Sequence, residues 1–310
     1  MSLNVYLPIA GQSVNILLLL GLGGLVGFLS GLFGVGGGFL LTPLLMMAGI
    51  PPTVAAASDS NQIVAASTSG TYAHYRLGNV DFRMGLLLLL GGVLGGTVGV
   101  QLIKTLRRLG DADFVIKITY VLMLGTVGSY MFVESLQNLR KSAPVKKRAS
   151  EAGKPSLYNR IIQALPGQMG FAKSGINTSP LLPLLLGVLV GILAAIMGVG
   201  GGFIMVPIMV YMLRMPMHVV VGTSLFQILF TCINVTIMQA VYNFTVDVEL
   251  AILLLLGSTV GAQFGTKIGR RLKGDQLKIL LASLVLVVMI QMLVGLVITP
   301  KILLGYKGGH

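Results

Sequence analysis

The sequence predicts an all-α polytopic membrane protein made of two homologous repeats, each of about five segments and each containing a glycine-broken or re-entrant helix. Three observations carry that prediction. The 310 residues are 55% hydrophobic and only 10% charged, with a mean hydropathy of +0.90. Long stretches carry no charge. One glycine-rich motif occurs twice. A soluble chain of this composition would lack the polar side chains to cover its surface, whereas lipid accepts apolar side chains all around a helix. The 42 glycines add a means for helices to approach closely in lipid, where no hydrophobic force pulls them together.

Charge-free intervals mark the segments, because a charge at the bilayer centre costs about 2.5 to 3.5 kcal/mol and a span needs about 20 apolar residues. Residues 1 to 58 carry no charge. They hold a helix near 14 to 33 and a shorter one near 39 to 50, separated by Gly34-Val35-Gly36-Gly37-Gly38. A more polar run covers 53 to 75, followed by 84 to 103 and 114 to 135. In the second half the segments are 180 to 197, 203 to 213, 217 to 243, 249 to 268 and 277 to 299. The first apolar run has no basic residue before it and is too long for a signal-peptide core, so no cleavage is expected.

The stretch from Gly27 to Pro43 realigns on Gly191 to Pro207 at a shift of 164, and both copies read GVGGGF with a proline four residues on. Asp81, Gly91, Gly95 and Gly99 match Asp247, Gly257, Gly261 and Gly265 at a shift of 166. The chain thus divides into a first membrane repeat, 1–136, a basic connector, 137–178, and a second repeat, 179–310. The connector carries eight Lys or Arg against one acidic residue, together with Pro144, Pro155 and Pro166, and is too polar to span.

Five segments per repeat, an odd number, invert the second copy relative to the first. With the connector in the cytoplasm, that side collects sixteen of the twenty-two Lys and Arg and the other side keeps six, as the positive-inside rule requires. The cluster from Lys104 to Lys117 fits this less well. A re-entrant short segment in each half would leave four crossings and parallel repeats, and that topology stays open here.

The GVGGGF motif interrupts a helix inside lipid, where unpaired backbone groups cost several kcal/mol each unless they line a cavity or meet another chain. Glycine leaves the backbone amides uncovered, and Phe39 or Phe203 begins a new helix whose first amides point back into the gap. Such a terminus favours an anion by about 0.3 to 2 kcal/mol, and two of them can converge near the midplane. Candidate substrate-binding residues are therefore Gly36, Gly37, Gly38 and Phe39 with Gly200, Gly201, Gly202 and Phe203. The polar track of the third segment adds Ser58, Asp59, Ser60, Asn61 and Gln62, and its counterpart adds Thr223, Ser224 and Gln227. Gly21, Gly23, Gly24, Gly91, Gly95 and Gly99 read instead as helix-packing positions.

Asp59 is the one carboxylate within the apolar body, and the motif alignment pairs it with Thr223. It is the candidate for proton coupling, with a helix cap as the alternative role. No phosphate-loop or dinucleotide pattern follows the glycines. Cys232 stands alone, and His74, His218 and His310 have no ligand spacing, so no metal, cofactor or redox chemistry is expected. With no nucleophile–base pair visible, the chain does not read as an enzyme. The net charge of +13 lies between apolar stretches rather than along one face, which argues against nucleic acid and for the lipid bilayer as partner. Oligomeric state is not specified; a homodimer is one arrangement open to it.

The paired GVGGGFLLTPLL and GVGGGFIMVPIM, each followed by a hydroxyl-rich helix, resemble the TauE/SafE sulfite exporter family of small membrane transporters. The resemblance spans nearly the whole chain. It implies export of sulfite, organosulfonates or related sulfur oxyanions across the prokaryotic cytoplasmic (inner) membrane by a multi-pass protein. It also implies that Gly36 to Phe39, Gly200 to Phe203, Pro43 and Pro207 lie near the substrate. Gly222-Thr223-Ser224-Leu225 is ordinary for the family; Ser58-Asp59-Ser60-Asn61 and the long basic connector depart from it. An inside-negative potential is worth about 2.3 kcal/mol per charge per 100 mV, so an anion leaves the cell downhill and a uniporter suffices. The competing reading is a non-transporting membrane assembly or sensing subunit that binds a partner through the connector.

Overall fold

In the computed structural model, residues 4–33, 38–140, 167–171, 173–269 and 274–298 are described. Among them, ten helices follow the segmentation expected from charge spacing. The first half contains α1 (Ile16–Phe33), α2 (Gly38–Met47), α3 (Pro52–Arg76), α4 (Phe82–Leu109) and α5 (Ala112–Arg140). The second contains α6 (Leu181–Met197), α7 (Gly202–Pro207), α8 (Met217–Met238), α9 (Val248–Gly269) and α10 (Gly274–Ile298). α7 passes into a π-turn at Ile208–Met212, and α8 into another at Gln239–Asn243.

Five of these are long and apolar enough to cross a bilayer: Phe82–Leu109, Ala112–Glu134, His218–Asn243, Val248–Gly265 and Ile279–Val297. Helix α3 is long enough but too polar, and Pro52 through Ser60 at its start are buried in the protein rather than turned to lipid. That placement follows from the cost of presenting Ser, Asn, Gln and Asp side chains to hydrocarbon.

Two antiparallel hairpins, absent from the sequence expectation of an all-helical chain, precede α1 and α6. β1 (Asn4–Leu7) pairs with β2 (Gln12–Asn15), and β3 (Met169–Phe171) with β4 (Ile176–Thr178). Each turn closes through a glycine in the left-handed region: Gly11 (φ 67°) donates to the Leu7 carbonyl and Gly175 (φ 66°) to that of Phe171. The second hairpin lies inside the range read as connector, and residues 141–166 fall outside the described part.

Glycine sets the helix pairings. α1 lies along α9 and α4 along α6, so closely that a Cβ on Gly95 would stand 2.0 Å from the Val188 carbonyl oxygen. One on Gly261 would stand 2.0 Å from that of Gly24. Gly23, Gly24, Gly91, Gly95 and Gly99 thus serve packing as expected. Gly21 does not: it faces open space. α3 packs on α8 and α5 on α10. α3 and α8 run antiparallel, since Gly70 meets Leu225 while Gly222, nearer the start of α8, meets His74 and Asn79 beyond.

Candidate functional site

Residues 34–37 of the first motif lie outside the described part, and Gly36 and Gly37 with them. The second is defined. α6 ends at Met197, Gly198 (φ 73°) caps it, and Gly200 (φ 66°) and Gly201 (φ 76°) turn the chain into α7. Three residues in the left-handed region within four positions require glycine, since a Cβ disfavours that backbone. Residues Gly198 to Gly202 are all buried. A Cβ on Gly198 would strike the Ala56 carbonyl at 2.0 Å, one on Gly200 the Cys232 sulfur at 2.4 Å, and one on Gly201 Val190 at 2.4 Å. The break is therefore packed by α3, α6 and α8 rather than laid open to water.

Phe39 and Phe203, the second residues of α2 and α7, come together as a stacked pair with ring centroids 4.4 Å apart. Around them gather several of the sequence candidates. Gly38 faces α3, where a Cβ would lie 2.3 Å from Ile63 Cδ1 and 3.3 Å from Asp59 Oδ2. Thr42 Oγ1 donates to Asp59 Oδ2 at 2.7 Å, while Asp59 Oδ1 has no hydrogen-bond partner although fully buried. Ser60 Oγ lies 3.1 Å from the Gly198 carbonyl and 3.2 Å from that of Ala56, tying α3 to the end of α6.

Gln62 and Gln227 are buried on α3 and α8. Gln227 Nε2 donates to Thr231 Oγ1 at 2.8 Å, and Oε1 of each glutamine lacks a partner. Ser224 is buried with its hydroxyl on the Val221 carbonyl, and Asn61 is half-buried.

Ser58 and Thr223 do not join this centre. The Ser58 hydroxyl oxygen accepts the amide of Asp247 at 3.2 Å, and that of Thr223 accepts the amide of Asp81 at 3.0 Å. Asp81 Oδ1 in turn accepts the Met84 amide, and Asp247 Oδ1 that of Leu250, capping α4 and α9. Their second oxygens hold the hairpins: Asp81 Oδ2 accepts the amide and hydroxyl of Ser174, and Asp247 Oδ2 the amides of Ile9 and Ala10. By these contacts Ser58, not Asp59, occupies the place equivalent to Thr223. The alignment slipped by one because the second half carries an extra residue between motif and helix, taken up in the π-turn at Ile208–Met212. Asp59 is then the equivalent of Ser224.

Tyr120 on α5 belongs to the centre and was not among the sequence candidates. It is fully buried, and its hydroxyl donates to the carbonyl of Met197, the last residue before the second break. The signal was present as a tyrosine in mid-segment, whose hydroxyl needs a partner in lipid. Thr42, whose hydroxyl holds Asp59, was likewise missed. Two apolar grooves, of about 530 Å³ between α1 and α9 and about 400 Å³ between α4 and the second hairpin, lie away from this centre. Among the described residues no cluster of His, Cys, Asp and Glu could hold a metal ion.

A multi-pass helical membrane protein with a polar, glycine-shaped interior is the class that fold and site define. The chain belongs to the sulfite exporter TauE/SafE family, whose model matches residues 19–292, and the family is one of membrane transporters. It is 28% identical over 279 residues to the "Probable membrane transporter protein YjnA" of Bacillus subtilis (strain 168), covering 89% of this chain and 98% of that one. To YunE of the same organism, also named a probable membrane transporter protein, it is 25% identical over 84% of this chain and 90% of the relative. "Sulfite exporter TauE/SafE family protein 5" of Arabidopsis thaliana is 35% identical over 108 residues, 33% of this chain and 23% of the plant protein. No solved structure matches.

Proposed function

We propose that the protein exports sulfite or an organosulfonate-type oxyanion across the prokaryotic cytoplasmic membrane, with the anion held near the midplane where α2 and α7 begin. The stacking of Phe39 on Phe203 carries this reading. It brings the first turns of two helices to one place, and the amides of a helix's first turn have no partner within the helix and favour negative charge. Membership of the family and the transporter names of its relatives support transport in general.

Inverted repeats are supported by the equivalent bonds of Asp81 with Thr223 and Asp247 with Ser58, and by the antiparallel run of α3 and α8. In this reading each pair α1–α2 and α6–α7 enters and leaves by one face, and three helices per half cross, an odd number. A cytoplasmic connector is supported by the sixteen-to-six distribution of basic residues.

The buried second break corresponds to an occluded conformation that must loosen for the anion to enter. Asp59 stands beside the proposed site. An ionised carboxylate there repels an oxyanion, whereas a protonated one donates a hydrogen bond to it, so proton movement is linked to anion movement through this side chain. Purified protein in liposomes, with sulfite and ethanesulfonate efflux followed at imposed potentials, tests the proposal. Potential-dependent flux of either anion is expected; protein-free rates for both would overturn it.

A further inference from the structure

Ten buried side-chain polar atoms of the described residues lack a hydrogen-bond partner, and five of them lie on α3: Asp59 Oδ1, Gln62 Oε1, Ser67 Oγ, Thr71 Oγ1 and His74 Nδ1. Folded proteins leave only a few such groups per hundred residues, so five on one 25-residue helix form an unusually concentrated polar file. Within about 15 residues of helix they cover roughly 22 Å along one half of its circumference.

Serine and threonine in lipid have an inexpensive refuge, the carbonyl four residues back. Thr68, next to Ser67, takes it, donating to Val64 at 2.7 Å; so do Thr97, Thr119 and Thr259. Ser67 and Thr71 decline it. Their hydroxyls have no protein partner, and in a membrane interior water is the small group that both donates and accepts.

The file has an end. His74 lies in the last turn of α3, against Gly222 of α8, and the loop after it leads to Asp81 and the second hairpin. The titratable neighbours at the inner end are Tyr120 from α5 and Cys232 from α8, both close to Asp59; at the outer end Arg76 follows His74 in the chain.

We propose that α3 lines a hydrated proton path from Asp59 past Gln62, Ser67 and Thr71 to His74, opening at the face from which the connector departs. It rests on the reading of Asp59 as the proton-carrying group, and extends it by giving the proton a route and a side. The proton passes by exchange of hydrogen bonds along hydroxyls and waters, with no redox partner and no bond to carbon.

Two measurements test it. In the Cys232→Ala background, Ser67→Cys and Thr71→Cys in nanodiscs should react with 2-aminoethyl methanethiosulfonate, while Leu94→Cys, on an exposed face of the apolar α4, should not. Cysteines at 67 and 71 as inert as that at 94 would overturn the hydrated path whatever the protein transports. In liposomes loaded with a pH dye, Ser67→Ala with Thr71→Val should lower the proton flux accompanying sulfite toward the protein-free rate, as expected for an interrupted relay. Thr236→Val on α8, whose hydroxyl is also buried and unpartnered, should leave it unchanged. Unaltered proton flux in the double variant removes the relay and spares the transporter. Sulfite flux without any pH change in the unmodified protein removes Asp59 as proton carrier and the relay with it. Absent flux of both sulfite and ethanesulfonate removes the transport reading, and the labelling still decides the path.

Discussion

Phe39 and Phe203 stack face to face with their planes 17° apart, although 164 positions separate them in the chain. Each is the second residue of the helix that follows a glycine motif, so the contact joins the two halves of the chain there. Aromatic pairs contribute about 0.5 to 1.5 kcal/mol beyond area burial. Phe39→Ala and Phe203→Ala are each expected to lower sulfite flux more than Phe→Leu at the same place, and the double variant should cost less than the sum. Strictly additive losses in liposome flux would show that the rings act independently.

Asp59 presents one oxygen to Thr42 and keeps the other unpartnered. Asp59→Asn preserves size and an acceptor for Thr42 but cannot exchange a proton. It should retain potential-driven anion flux while losing the response to an imposed pH gradient. A gradient response equal to that of the unmodified protein would assign Asp59 a purely structural role.

The hairpin contacts of Asp81 and Asp247 are equivalent and distant, which makes them a quantitative test of the paired architecture. Hydrogen bonds to a charged acceptor contribute about 1.5 to 3 kcal/mol. Asp81→Ala and Asp247→Ala should each lower the melting temperature in detergent by a similar amount, and together by the sum, as separated sites do. A large effect from one and none from the other would break the equivalence.

Packing glycines separate cleanly from free ones. Gly95→Ala meets the Val188 carbonyl at 2.0 Å, whereas Gly21→Ala meets nothing within 4 Å. Overpacking costs about 1 to 3 kcal/mol, so Gly95→Ala should destabilise the protein by that order, while Gly21→Ala should be neutral or slightly stabilising. Thermal unfolding of the two variants checks both.

Tyr120→Phe removes the donor to Met197 and leaves the ring in its packed place. A buried carbonyl without a donor costs about 1 to 3 kcal/mol. Lower stability with lower sulfite flux is expected; reduced stability at unchanged flux would confine Tyr120 to packing.

The helical segments were legible because a charge in lipid is costly enough to be confined to segment ends, and each described helix follows a charge-poor interval. The duplicated GVGGGF and the match of Asp81 with Asp247 were equally plain. The hairpins were not: Asn4–Leu7 and Met169–Phe171 are too short for a periodic signal, and their place depends on distant carboxylates. The pairing with Thr223 moved from Asp59 to Ser58, since adjacent residues on a helix point about 100° apart and a one-residue shift changes which side chain faces a given partner.

From its sequence alone the chain was bound to be a helical membrane protein, since composition and charge spacing answer to the solvent rather than to the fold. Tertiary structure alone decided that Phe39 meets Phe203, that Tyr120 holds the end of α6, and that Asp59 keeps one oxygen unpaired. Contacts between residues remote in the chain follow from helix packing, where glycine surfaces set distance and rotation, and no local pattern encodes which partner arrives.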